Sequence, residues 1–253
     1  VIFDVKWVNS LGHAMVPIKA KLMASSWETR VSDYQQFVEA TGHQAPKRPG
    51  FRQADDHPVV GVSRADAQKF CEWLTQKERK AERIGESHRY KLPSDLEWSA
   101  LAGMAEQVNA SPSERDHQAQ KDVGMKNRFF WGDQFPPKEK LANLADEAAA
   151  RAVGVAKSRT MSGYNYGFEK TAPVGTFPAS KLGLHDLCGN IYEWVETDYK
   201  EGSSLAVSRG GSWASYTKNH LRVWSRFPMS PSIRGNQFGF RVVLVDESED
   251  LTE

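Results

Sequence analysis

The stretch from residue 208 to 245, SRGGSWASYTKNHLRVWSRFPMSPSIRGNQFGFRVVLV, holds the features that decide the fold. A glycine pair, Gly210-Gly211, stands near its start, and the apolar run from Val242 to Val245 closes it. Both ends are typical of buried strands. The 25 residues between them, 214–238, mix aromatic, amide and basic side chains without the hydrophobic period of a convincing helix. Because long irregular segments held between strands often carry function, we expect the working site here.

The composition of the 253-residue chain is that of a globular protein, with 40% hydrophobic residues available for a core. The 33 basic and 32 acidic residues nearly cancel, so no overall field attracts nucleic acid or an anionic membrane. We find neither a spanning apolar segment nor a signal peptide. Only two cysteines, Cys71 and Cys188, are present, which favours a cytoplasmic location. A chain that begins with Val1 is expected to have lost preceding residues.

Helix signals recur three times in the first hundred residues. Residues 31–40 place apolar side chains on one helical face and stop before Gly42, a typical helix-ending residue. Ser63 and Ser94 each precede an acidic residue three positions further on, which is the pattern of a helix N-cap. The sequence therefore predicts three helices.

Short strands are predicted within residues 1–30 and at residues 59–62, where apolar residues cluster between turn-forming ones. Near residues 105–127 the sequence turns polar and loses its period, which favours an exposed insertion. Since no internal repeat and no linker divides the chain, we expect a single domain over residues 1–253.

Several short motifs occur in a fixed order along the chain. They are Trp27–Val31, His57–Ser63, Ala67–Leu74, Leu92–Trp98, Trp131–Gly132, Thr171–Gly175, Gly183–Trp194, and Arg209–Trp213 paired with Gly239–Arg241. As an ordered set they resemble the formylglycine-generating enzyme (sulfatase-modifying factor) family, whose fold is a variant of the C-type lectin fold. The resemblance implies an α+β fold that is rich in loops, with short strands and about three helices.

The oxidases of this family bind copper through two cysteines that follow the glycine-glycine-serine motif. Matching the segment by spacing puts Ser215 and His220 at these two positions. A hydroxyl group is a poor ligand for a soft metal, so this pair cannot support thiolate copper chemistry. No copper is therefore expected.

Another branch of the family, the sulfoxide synthases, uses an iron held by three histidines, supplied largely by an additional N-terminal helical domain. We expect no counterpart of that domain here, and the seven histidines show no paired ligand spacing on a common helix. No iron is expected either.

Calcium is a different matter, because family members often hold this hard cation with carbonyl and carboxylate oxygens. The resemblance implies one such site, with side-chain oxygens from Asp186 and Glu193 and backbone carbonyls from Gly189 and Ile191. The alternative is that these residues only organise a turn, with Glu193 solvated or paired.

A second family calcium site begins with an asparagine and its neighbour's carbonyl, which Asn143 and Leu144 match. The aspartate that completes the site in the family is replaced here by Tyr166. A phenol does not replace a carboxylate on calcium, so the resemblance supports this site less than the first.

Four arginines stand where the family commonly carries arginine: Arg209, Arg226, Arg234 and Arg241. We interpret them as structural, since a guanidinium can satisfy carbonyls of irregular backbone. Trp194, Trp213 and Phe240 are the predicted core beneath.

The remaining side chains of the 214–238 segment have no evident structural role and are the predicted ligand-binding residues. They are Ser215, Tyr216, Asn219, His220, Trp224, Phe227, Ser232, Ile233, Asn236 and Gln237. Mixed aromatic, amide and hydroxyl side chains are typical of recognition surfaces.

We therefore predict a non-catalytic recognition domain with a protein or other ligand at the 214–238 surface, and neither nucleic acid nor membrane insertion. In this fold the same segment is diversified in the variable proteins of bacterial diversity-generating retroelements. A sensor domain of a larger bacterial protein is an equal alternative. The competing class is a metal-dependent oxidoreductase of the family with an altered active site that uses His220 or Cys188.

Overall fold

Two β-sheets form the framework in the computed structural model, which describes residues 3, 5–149, 159–161, 163–165 and 167–248. The five-stranded sheet has the order β1-β2-β3-β9-β4 and is antiparallel. The four-stranded sheet has the order β7-β6-β5-β8, with β5 and β8 parallel. The strands are β1 Trp7–Val8, β2 Ala14–Lys19, β3 Leu22–Ser25, β4 His88–Lys91, β5 Tyr192–Asp198, β6 Ala206–Arg209, β7 Phe227–Met229, β8 Phe238–Gly239 and β9 Val243–Asp246.

Five helices have both ends in the described residues: α1 Val31–Thr41, α2 Arg64–Lys80, α3 Asp95–Leu101, α4 Pro112–Lys121 and α5 Lys218–Leu221. Residues 147–149 are helical as well. The three predicted helices are confirmed, together with the end of α1 and the starts of α2 and α3. Gly42 adopts the left-handed conformation after α1, with φ of 69°. Ser63 and Ser94 both close capping boxes, in which the serine side chain accepts from the third residue of the helix.

The strand expected at residues 59–62 is absent, and the polar insertion near 105–127 holds a helix that was not predicted. Residues 59–62 form no strand, because their backbone groups bond to irregular segments: Val59 N donates to Thr29 O, and Gly61 N to Gly235 O. The insertion near 105–127 contains α4, which is held by a capping box between Ser111 and Glu114. With α5 also present, the estimate of about three helices was low.

The core lies between the sheets and the first helices. Phe70 and Leu74 of α2 are fully buried, as the helical period predicts, and Phe240 packs on Phe70 with ring centroids 5.3 Å apart. Trp194 and Phe240 are 0% exposed and Trp213 is 8% exposed, which confirms them as core residues. Truncating such a buried ring to alanine costs roughly 3–5 kcal/mol.

Buried ion pairs, more than carbonyl contacts, engage the family arginines. Arg209 and Arg226 both bind the Asp95 carboxylate at the start of α3, and Arg115 of α4 approaches the same carboxylate at 3.1 Å. These arginines also donate to carbonyls, as Arg209 does to Val223 O at 3.2 Å. The cluster fixes α3 and α4 against the frame of the 214–238 segment.

Candidate functional site

Ser215 and the backbone of His220 both lie beside Gly211, the second glycine of the pair. Gly211 has φ of 77°, and a Cβ there would lie 3.3 Å from Ser215 Oγ and 3.1 Å from the His220 carbonyl oxygen. A side chain at this position would also meet Leu221 Cδ2 at 2.9 Å. The absence of a side chain at Gly211 therefore allows α5 to pack against the end of β6.

The Ser215 hydroxyl takes part in internal hydrogen bonds. It is 1% exposed, accepts a hydrogen bond from Ser212 N at 3.0 Å and lies 3.3 Å from the hydroxyl of Tyr192. His220 packs edge-on against Phe227 with ring centroids 5.5 Å apart, and burial lowers its pKa. The pair thus presents an engaged hydroxyl and an imidazole that favours its neutral form.

Two of the predicted ligand-binding residues have structural roles, contrary to expectation. Ser215 is buried as described, and Trp224 is 3% exposed and donates from Nε1 to Met125 O at 2.8 Å. The other eight are partly or fully exposed, and we call them the 214–238 surface. They are Tyr216, Asn219, His220, Phe227, Ser232, Ile233, Asn236 and Gln237.

Internal contacts hold several members of this surface in place. Phe227 stacks on Tyr192 with centroids 4.9 Å apart, and Gln237 Oε1 accepts from the Ser212 hydroxyl at 3.0 Å. The Asn236 carbonyl accepts from Trp213 Nε1 at 3.1 Å. The surface is therefore supported by the core, which limits the ordering that binding would require.

Three buried carboxyl groups lie within or beside the predicted calcium motif. Glu193 accepts hydrogen bonds from Arg241 Nε at 2.8 Å and from Trp98 Nε1 at 2.7 Å. Glu28, which sequence reasoning missed as a site residue, accepts from Asn190 Nδ2 at 2.6 Å. Asp186 accepts from Gly175 N at 2.7 Å and lines a small cavity of about 200 Å³. The sequence signal that could have revealed Glu28 was its position as the acidic residue of the Trp27–Val31 motif.

The electrostatics of this cluster favour added positive charge. Burial, together with the neighbouring Asp186 and Glu193 carboxylates, raises the pKa of Glu28 well above its ordinary value. Burial also raises the pKa of Asp186 to about 6. Arg241 is the one guanidinium that contacts these carboxylates among the residues described. Arg241 already engages both oxygens of Glu193, so a hard cation would be held here mainly through Asp186 and backbone carbonyls.

Asn143 gives independent evidence for a bound cation or water, through a side-chain oxygen that no described group satisfies. It is 1% exposed, and its Nδ2 donates to Lys170 O at 2.6 Å and to Asn190 Oδ1 at 3.1 Å. Its Oδ1 is buried and has no hydrogen-bond partner in the described part of the chain. Such an acceptor is rare unless a water or an ion satisfies it. Leu144 is buried beside it, while Tyr166 lies outside the described residues.

Other metal or thiol chemistry finds little support in the arrangement. In the described ranges, no three His, Cys, Asp or Glu side chains converge as a metal centre requires. Cys71 and Cys188 are buried free thiols, and burial raises the pKa of both. A buried thiol that resists ionisation is a poor nucleophile.

A cleft beside α1 was not anticipated from the sequence. It has a volume of about 680 Å³ and lies between α1, the loop of residues 45–53 and residues 59–60. We call it the α1 cleft. A smaller cleft of about 390 Å³ shares residues 45–49 and continues to Arg234 and Asn236, at the edge of the 214–238 surface.

The comparison with family models decides which family the chain belongs to. Residues 13–245 match the sulfatase-modifying factor enzyme 1-like domain. The chain belongs to this family. The family assignment and the α+β, C-type lectin-like fold expected from the motifs are thereby confirmed.

Relatives include both inactive and active proteins by name. The chain is 28% identical over 214 residues to the inactive C-alpha-formylglycine-generating enzyme 2 of Bos taurus, covering 81% of this chain and 56% of that protein. It is 26% identical over 274 residues to the formylglycine-generating enzyme of Bos taurus, covering 93% and 61%. The chain thus spans little more than half the length of these relatives.

A solved structure, Treponema denticola variable protein 1, shares the fold with a TM-score of 0.52 at 18% identity, covering 88% of this chain and 84% of that one. No helix among the described residues has the length and hydrophobicity that a membrane crossing requires.

Proposed function

We propose that this chain is a non-catalytic recognition domain of the sulfatase-modifying factor family, which presents the 214–238 surface to a ligand. The observation that carries the proposal is the chemistry at the two positions where the oxidases keep cysteines. Ser215 is buried and hydrogen-bonded to Ser212 N, and His220 packs on Phe227. Neither supplies the thiolate that soft copper chemistry needs.

The 214–238 surface has the composition of a recognition surface. It combines aromatic rings at Tyr216 and Phe227 with amides at Asn219, Asn236 and Gln237. Rings provide contact area at low entropic cost, and amides adapt their hydrogen bonds to a partner. The fold shared with Treponema denticola variable protein 1 is compatible with a scaffold of this kind.

Calcium is proposed as a structural ion of this domain. Asp186 and Glu193, with the carbonyls of Gly189 and Ile191, would hold one ion, and Asn143 with the Leu144 carbonyl would contribute to a second. The proximity of the Glu28, Asp186 and Glu193 carboxyl groups and the unsatisfied Asn143 Oδ1 support this proposal. Bound calcium would neutralise buried charge and fix the turn that precedes β5.

A copper-binding experiment tests the loss of oxidase chemistry. The purified chain and the double variant Ser215→Cys/His220→Cys are titrated with copper(I) in competition with a chelator of known affinity. We expect no stoichiometric, high-affinity copper binding by the natural sequence and a gain in the double variant. Stoichiometric copper or iron in the natural protein, with oxygen-dependent turnover of a cysteine peptide, would contradict the proposal.

Ligand recognition is tested on glycan and peptide arrays with the natural chain and with His220→Ala/Ile233→Asp, which alters two partly exposed residues of the surface. We expect a signal from the natural chain that this variant loses. Sequencing the gene's neighbourhood for a reverse transcriptase and a near-copy of the codons for residues 210–241 tests the retroelement origin. An array signal that the variant retains would place recognition outside the 214–238 surface.

A further inference from the structure

We infer that the α1 cleft is a docking site for an acidic peptide segment that carries a bulky apolar side chain. The residues that line the α1 cleft lie outside the 214–238 surface. A docking site here rests on the proposed function only in that both require a binding partner. Its volume of about 680 Å³ lies within the range of ligand-binding clefts. The partner's chemistry follows from the floor and the rim of the cleft.

The floor of the α1 cleft is apolar. Val31 and Val38 of α1 form one side with the Tyr34 ring between them, and Val59 and Val60 form the base. Val59 and Val60 are 3% and 2% exposed as the cleft stands. A leucine, phenylalanine or tryptophan side chain placed on this floor would leave water for an apolar environment, which is the main source of binding free energy in such clefts.

The rim of the cleft is basic and unpaired. Lys47, Arg48 and Arg52 line it, and none forms an ion pair with any described residue. Arg234, which lines the adjoining cleft, is instead paired with Asp66. Glu39 is the one acidic residue among those that line the α1 cleft. The local charge therefore complements a partner that carries carboxylates around its apolar side chain.

The outer wall of the cleft is fixed before any partner arrives. Gln53 Nε2 donates to Pro58 O at 2.9 Å and to the Thr171 hydroxyl at 3.2 Å. The ring centroids of Phe51 and Trp213 are 6.2 Å apart, and the Lys170 ammonium lies 4.9 Å from the Phe51 ring centroid. A cleft whose wall is held in place loses less conformational entropy on binding.

A peptide fits this site better than a nucleic acid. The apolar floor has no counterpart in phosphate recognition, which relies on dense positive charge. The whole chain carries a formal net charge of +1, so three rim cations stand out locally without creating an extended basic face.

The test is a fluorescence-anisotropy titration with three labelled peptides. The probe is EDLEWDE, one control is QNLQWNQ with the same apolar residues but no charge, and the other is EDSESDE with the same charge but no apolar residues. We expect saturable binding of EDLEWDE at least about 10-fold tighter than that of either control, since about 1.4 kcal/mol corresponds to tenfold. Equal affinity for the three peptides, or no saturable binding of EDLEWDE, would overturn the inference.

Protein variants locate the binding. Lys47→Ala/Arg48→Ala/Arg52→Ala changes only exposed cations and should fold normally, and Val38→Asp introduces charge into the floor. We expect both to weaken EDLEWDE binding about 10-fold or more. The matched control Lys121→Ala/Lys126→Ala/Arg128→Ala removes the same charge elsewhere and should leave the affinity within about twofold. An equal loss in this control would overturn the inference in favour of non-specific attraction.

Two further readouts separate the partner classes and the two surfaces. A poly-dT oligonucleotide should not compete with EDLEWDE at equal concentration. Effective competition would overturn the inference of a peptide partner in favour of a nucleic acid. The His220→Ala/Ile233→Asp variant should bind EDLEWDE unchanged. If it does so while losing its array ligand, the two surfaces act independently; if it loses EDLEWDE, the peptide belongs to the 214–238 surface and the α1 cleft is not its site.

Discussion

Arg209 and Arg226 are paired with Asp95, and Arg226 also with Glu106, whereas Lys47, Arg48 and Arg52 have no ion pair among the described residues. The first two guanidinium groups are buried and hold segments that are far apart in sequence. The other three line an open cleft. Cations inside the fold need partners within the chain, because an unpaired buried charge is prohibitively costly. Cations left unpaired at a cleft remain available to a partner molecule.

The same difference separates the frame of the 208–245 stretch from its middle. At the two ends, Arg209 and Arg241 pair with Asp95 and Glu193 on other elements. In the middle, the Tyr216, Asn219 and Ser232 side chains reach solvent. The frame and the buried residues Ser215, Trp224 and Arg226 thus specify the fold, and only the exposed side chains of the middle are free to vary in their chemistry.

The largest expected effect comes from breaking the buried cluster. Asp95→Asn leaves Arg115, Arg209 and Arg226 without their shared carboxylate, and we expect it to lower the free energy of unfolding by about 3–5 kcal/mol. Urea unfolding followed by tryptophan fluorescence measures this. The control is Asp198→Asn, which breaks the exposed pair with Arg64 and should cost less than about 1 kcal/mol. Equal losses in the two variants would contradict the distinction between buried and exposed pairs.

Calcium removal is the next largest effect. If the Asp186 site is filled, free calcium at about 100 times its dissociation constant stabilises the folded chain by about 2.7 kcal/mol. Chelation should therefore lower the melting temperature in calorimetry, and readdition of calcium should restore it. The Asp186→Asn variant keeps a residue that tolerates the φ of 57° at this position and should lose the calcium dependence. An identical calcium response in natural and variant chains would exclude Asp186 as a ligand.

The decrease in the free energy of unfolding at acidic pH depends on the buried ion pairs. Asp95 is buried, yet the neighbouring Arg209 and Arg226 outweigh that burial and hold its pKa below the ordinary value of 3.8. A depressed pKa contributes stability above pH 3.8 that is lost as the pH falls through the folded-state pKa. We expect Asp95→Asn to flatten the decline below pH 4 by up to about 1.4 kcal/mol per pH unit. Denaturation midpoints at pH 2.5 to 6 measure it, and parallel curves for the two chains would contradict the assignment.

The smallest expected effect on stability belongs to the unpaired cations. Lys47→Ala/Arg48→Ala/Arg52→Ala should change the free energy of unfolding by less than about 0.5 kcal/mol, since exposed side chains without partners contribute little. Thermal unfolding beside the peptide titration checks this. A loss comparable to that of Asp95→Asn would mean that the loop supports the fold, and the comparison between the two groups of cations would fail.

Local signals predicted the helices well and the strands less well. The N-caps at Ser63 and Ser94 and the glycine after α1 depend on residues within one helical turn, so they could be read from the chain. The helix α4 carries the same signal at Ser111 and Glu114, and the polar composition around it obscured the signal. Residues 59–62 have the composition of a strand, but only their distant partners decide whether a ladder forms.

The sequence by itself determined the family and the order of its motifs, and it predicted Ser215 and His220 at the two positions where the oxidases carry cysteines. It could do so because these are properties of residue identity and spacing. Only the tertiary structure decided that Trp224 and Ser215 are internal, that Glu28 joins Asp186 and Glu193, and that a basic loop borders an apolar cleft. Burial and charge pairing depend on contacts between residues far apart in the chain, which no local pattern records.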